Sequence, residues 1–130
     1  MQRTINKKMA VSKTRTIIGK YRELYPEQKE LSSMKGYFSD HPYPGQGKII
    51  YFMMHAEPRL IGMCSCFDVF TGERISMSKV LMSYGDYEWW DELAHYVKNY
   101  NLRLPVEFEA YVLGLNLREV YENYRRRHHA

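Results

Sequence analysis

Cysteine is scarce in this chain: 130 residues contain two, Cys64 and Cys66. Two thiols one residue apart make no disulfide framework, and a bond between them would close a ring too tight for disulfide geometry. They read as reduced, packed thiols of a cytoplasmic protein. Long apolar runs are missing too. No stretch approaches the ~20 residues of a membrane-spanning helix, and the first residues lack the apolar core of a secretory signal. No repeat, low-complexity segment or linker divides the chain. Acid is absent from residues 1–22, which hold seven bases: Arg3, Lys7, Lys8, Lys13, Arg15, Lys20 and Arg22.

What is present has globular composition, with 45% hydrophobic and 26% charged residues, which excludes wholesale disorder. The length fits one domain with a core of its own, so neither a metal nor a disulfide is required for folding. The net charge of +4 conceals an uneven distribution. Residues 36–117 carry six bases against ten acids, and the last thirteen residues return to +2 with Arg125, Arg126 and Arg127.

Along the chain, residues 1–11 read as a basic arm and residues 12–130 as a single α+β domain. Ile17, Ile18, Tyr21, Leu24 and Tyr25 have helical spacing, which predicts a helix up to Pro26. Pro26 with Glu27, then Leu31 and Met34 before Gly36, predicts a second short one. Residues 37–47, with two prolines and two glycines, predict a loop. Lys48 to Ala56 mixes strand formers (Ile49, Ile50, Tyr51, Phe52) with helix formers (Met53, Met54, Ala56). The spacing of Ile49, Phe52 and Met53 tips it to helix.

Residues 59–69 and 74–83 flank Phe70-Thr71-Gly72-Glu73 and predict a β-hairpin, with Asp68 stabilising the turn. Ile61, Met63, Phe67 and Val69 alternate with Cys64, Cys66 and Phe70, which predicts a strand covered on both faces. Asp86 reads as the cap of a helix with Glu88, Asp91 and Glu92 in its early turns and Trp90, Leu93, Val97 and Tyr100 inside. Asn101 would end it. Pro105 opens a further helix closed by Gly114, and Asn116 with Glu119 starts the last one. The expected fold is helix-rich α+β around a small antiparallel hairpin or sheet.

Chemical motifs are incomplete. Gly45-Gln46-Gly47-Lys48 lacks the first glycine of a phosphate loop and the hydroxyl after its lysine. Asp91-Glu92-Leu93-Ala94-His95 lacks the first histidine of a zinc-protease helix, and an i, i+4 charge pair on a solvated face is its plainer reading. Cys64 and Cys66 with His41, His55 or His95 have poor zinc-site spacing. Nothing in sequence beside either thiol lowers its pKa for nucleophilic work. Asp68 and Glu73 read as turn residues rather than an acid–base pair. No cofactor and no catalytic residue is expected.

The basic ends carry the strongest functional cue. Clustered lysine and arginine attract phosphate backbones by counterion release, or dock on an acidic protein. The tyrosines could stack on bases, but most lie on the expected helical stripes.

Asp68-Val69-Phe70-Thr71-Gly72-Glu73, Gly85-Asp86-Tyr87 with Trp89, His95-Tyr96-Val97, and Tyr100-Asn101-Leu102 followed by Leu104-Pro105 and Phe108 resemble a group of small uncharacterised bacterial proteins. The resemblance covers about a third of the chain. It implies a hairpin followed by an aromatic helix, and it carries no activity or catalytic residue. The expectation is therefore a bacterial, cytoplasmic binding protein that engages a protein or a protein–nucleic acid assembly, an accessory or inhibitor from a mobile element being one form. Arg3, Lys7, Lys8, Lys13, Arg15, Lys20, Arg22, Arg125, Arg126 and Arg127 would carry the contact. Direct nucleic-acid binding through the N-terminal segment is the alternative, and a thiol- or metal-dependent enzyme the weaker one. A homodimer is compatible with either binding reading.

Overall fold

The computed structural model describes residues 14–129, with side chains as far as Arg126. The expected basic arm, and with it Arg3, Lys7, Lys8 and Lys13, lies outside the described residues. The fold is α+β, the described residues forming four helices, a mixed four-stranded sheet and a two-stranded antiparallel ladder.

The strands are β1 (Thr16–Ile17), β2 (Glu57–Gly62), β3 (Cys66–Phe67), β4 (Arg74–Ser76), β5 (Lys79–Tyr84) and β6 (Tyr87–Trp90). The helices are α1 (Gln46–His55), α2 (Leu93–Tyr100), α3 (Val106–Leu113) and α4 (Leu117–His129). The large sheet runs β1-β6-β5-β2, with β1 parallel to β6 and the other pairs antiparallel. Helix α1 packs against α2, α3 and α4.

Several expectations hold. Lys48 to Ala56 lies in α1 and its C-cap. Pro105 precedes α3 and Gly114 ends it. Asn116 caps α4, accepting from Arg118 N–H at 2.9 Å. Asn101 ends α2 with φ 54°, a left-handed conformation that asparagine tolerates.

Three expected elements are corrected. Residues 16–17 form β1 and not a helix. Thr16 and Ile18 N–H donate to Asp86 and Glu88 carbonyls at 2.8 Å, so a β-branched pair completes a sheet edge. Residues 21–32 are turns, and the only helical piece before residue 38 among the described residues is the 3-10 turn Met34–Tyr37, capped by Ser33. The segment after Asp86 is β6, and α2 begins six residues later than expected at Leu93. Gly85, at φ 59°, gives β5 and β6 a two-residue turn of the kind that matches strand twist. A side chain there would strike the Tyr111 hydroxyl.

Trp89, rather than Trp90, is fully buried at the centre. Its ring lies 5.4 Å from Phe52 and 5.7 Å from Phe108, and its indole N–H donates to the Met53 carbonyl at 3.2 Å. Pairing aromatic bulk with a satisfied polar edge makes such a residue a strong core anchor. Gln46 joins the elements around it. Its amide accepts from Tyr43 N–H at 3.0 Å and donates to the Val97 carbonyl at 2.8 Å and to Asn101 at 3.0 Å.

Candidate functional site

The hairpin is where the chain departs from an ordinary closed core. Ile61↔Val80 and Gly62↔Lys79 pair in one ladder, Cys66↔Ser76 and Phe67↔Arg74 in the next. The two ladders are consecutive parts of one long hairpin. Residues 63–65 oppose 77–78 between them, three against two. An extra residue re-aims every alternate side chain beyond it. Before the interruption, Ile61 and Val80 line a cleft beside the helices. After it, Cys66 and Asp68 turn inward and Phe67 and Val69 outward. The expected two-sided cover is thereby corrected: Met63 is 88% exposed, Met77 71%, and Leu60, Phe67 and Val69 are exposed as well.

The cleft has a volume of about 610 Å³, within the range of small-ligand and peptide pockets. Its walls are Ile50, Met53 and Met54 of α1, Pro58 and Ile61 of β2, and Val80 and Met82 of β5. Asp91, His95, Lys98 and Asn99 form one polar rim along the start and face of α2. Methionines at such a wall are unbranched and polarisable, and they adapt to varied apolar shapes.

The hairpin tip is pinned to α2 by a buried polar cluster. Asp68, 4% exposed, accepts from Phe70 N–H at 2.8 Å and Thr71 N–H at 3.1 Å, which is the expected turn role. It also accepts from His95 Nε2 and the Tyr100 hydroxyl, each at 2.7 Å. The Tyr96 hydroxyl receives Val69 N–H at 2.9 Å. Burial would raise the Asp68 carboxyl, but the hydrogen bonds from His95, Tyr100, Phe70 and Thr71 outweigh it and hold its pKa at about 2. Burial, with Asp68 nearby, pushes Tyr100 up to about 12. With the carboxyl ionised, His95 Nε2 carries the donated proton, and Nδ1 accepts from the Asn99 amide at 3.1 Å. Both ring nitrogens are thus engaged, and the cluster acts as a tie between hairpin and helix. The expected Asp91–His95 pair does not form: Asp91 accepts from Val80 N–H at 3.0 Å, and His95 belongs to Asp68. No motif spacing announced this tie, because its members lie 27 and 32 residues apart.

Neither thiol meets a histidine among the described contacts. Cys64 is exposed; Cys66 is buried, and its Sγ–H points to the Ser78 carbonyl at 3.8 Å. Burial, then Glu92 nearby, pushes the Cys66 thiol up, away from the reactive thiolate. Among the described residues no three histidine, cysteine or acidic side chains converge on a point that would hold a metal.

The described basic residues sit on separate segments of the chain, each with its own contacts. Arg15 donates to the Gly85 carbonyl at 3.1 Å beside the β1 edge, Lys20 lies over the Tyr25 ring at 5.7 Å, and Arg22 is exposed. Arg125 pairs with Glu122 at 2.9 Å on α4, and Arg126 donates to Asn123. The Arg127 side chain lies outside the described ones. Ile18 and Tyr21, inside the same basic stretch, are buried core residues. The acid-free segment is therefore partly structural.

Comparison with known proteins finds no matching family model, no matching curated protein and no matching solved structure.

Proposed function

We propose that this chain is a binding protein that takes an apolar segment of a protein partner into the cleft between α1, α2 and β2. One observation carries the reading. Ile50, Met54, Ile61 and Val80 border the open cleft rather than one another, with Met54 and Ile61 exposed. A wall of that composition, beside a polar rim, suits a partner helix or strand that inserts two or three apolar anchors. The rim gives such a partner a register: Lys98, exposed on α2, meets an acid, and Asn99 offers an amide. The tie at Asp68 holds the hairpin wall in place before the partner arrives, and a preorganised wall reduces the entropic cost of association.

The test is capture from the native host with three full-length or near full-length baits. The wild type retains a specific protein. Ile61→Lys, which places a charge in the wall without touching the Trp89 core, loses it. Deletion of residues 1–13 spares every described element and separates the cleft from the basic arm. Retention by the deletion variant with loss by Ile61→Lys supports the cleft. Loss by the deletion alone, with steep weakening in salt, moves the contact to the basic arm and to phosphate-bearing partners.

A further inference from the structure

We infer that the outward face of the hairpin pairs with the same face of a second copy of this chain, the two hairpins lying antiparallel about a two-fold axis. The inference does not depend on the cleft, which opens on the helix side. Leu60, Met63, Phe67, Val69 and Met77 are all exposed along this one hairpin. Together they present on the order of 600 Å² of apolar surface, the upper end for the largest patch of a typical monomer. With the flanking charged residues they reach about the 800 Å² per partner of a standard interface.

The charges name the occupant. Each end of the hairpin carries one exposed acid and one exposed base: Glu57 and Arg59 at the base, Glu73 and Arg74 at the tip. None of the four forms an ion pair among the described residues of the chain. Antiparallel pairing lays the base of one hairpin on the tip of the other. Glu57, opposite Ser83, and Arg74, opposite the exposed Phe67, lie on the outward face, so Glu57 then meets Arg74 of the partner subunit. A surface complementary to itself is what a two-fold interface requires. Cys64, exposed in the interruption midway between base and tip, falls near the axis.

The experiment is light scattering of the full chain over a range of concentrations, followed by cross-linking with a short bismaleimide. The wild type is expected to rise with concentration from 15.6 kDa to twice that mass, and the cross-linked dimer is expected to form through Cys64. Phe67→Lys is expected to weaken pairing at least 100-fold, as a buried charge without a partner does. Arg74→Glu is expected to weaken it about ten-fold, and Arg74→Glu with Glu57→Arg to restore it. A mass that stays at the monomer value at all concentrations overturns the inference. So does a dimer indifferent to Phe67→Lys, or one that the double reversal fails to rescue.

Discussion

The two halves of the sheet use the same residue types to opposite ends. On the β6 side, Trp89, Phe52 and Phe108 interlock, with Trp89 edge-on to Phe108 and Phe52 tilted against both. On the β2 side, Leu60, Met63, Phe67 and Met77 stand in the open, although nothing in their character distinguishes them from core residues. The difference lies in what covers them. Helices α1 and α3 close over β6, whereas the hairpin is held along its inner side, by Asp68 with His95 and Tyr100, by Val69 N–H on the Tyr96 hydroxyl and by Phe70 against Tyr100, and its outer side is left open. Apolar content at one edge is thus left uncovered rather than packed, and this open edge is where the proposed pairing of two copies is placed.

The comparison is broken most forcefully from the closed side. Trp89→Ala removes the anchor that joins α1, α3 and β6, and it is expected to cost about 4 kcal/mol in denaturant unfolding. Asp68→Ala strikes the seam between the halves. It strips two backbone N–H groups, His95 and Tyr100 of their acceptor, and is expected to cost about 3 kcal/mol. Amide exchange at Phe70 and Thr71 is expected to accelerate while the Trp89 neighbourhood stays protected.

Acid acts on the same seam. The Asp68 pKa falls from 3.8 to about 2 on folding. A depressed carboxyl stabilises the fold above the unfolded value, and that contribution is lost as pH drops through the folded one. Between pH ~4 and ~2 the wild type is therefore expected to lose about 2 kcal/mol that Asp68→Asn does not lose. The smallest effect is expected on the open side: at concentrations where the chain is a monomer, Met63→Lys should change unfolding free energy by less than about 0.5 kcal/mol, as for any surface site.

The fold class, α1, the ends of α2 and α3 and the existence of the hairpin were all legible in residue patterns. Pro105, Gly114, Asn101 and Asn116 act through local backbone chemistry, which a sequence displays directly. The failures share one cause. Ile17, Ile18 and Tyr21 have helical spacing, yet Thr16 and Ile17 are drawn into the sheet by carbonyls of Asp86 and Glu88, some 70 residues away. Glu88, Trp89 and Trp90 likewise join a strand because β5 lies ready to pair with them. The hairpin's exposed face was hidden by the interruption at residues 63–65, which reverses the alternation without a glycine or proline inside it to signal the change. The Asp68 tie was half legible: the turn role is local, the bonds to α2 are not.

Methionine oxidation tests the contrast most directly, because the chain places this one side chain in both halves. Dilute full-length protein would be exposed briefly to hydrogen peroxide and each methionine followed by mass spectrometry. Met54, Met63 and Met77 are expected to oxidise rapidly, while Met34, Met53 and Met82, all buried, resist. At high concentration Met63 and Met77 are expected to slow while Met54, in the cleft, does not. Met63 and Met77 reacting as slowly as Met34 in the dilute protein would contradict the account, because the hairpin would then be closed within the monomer.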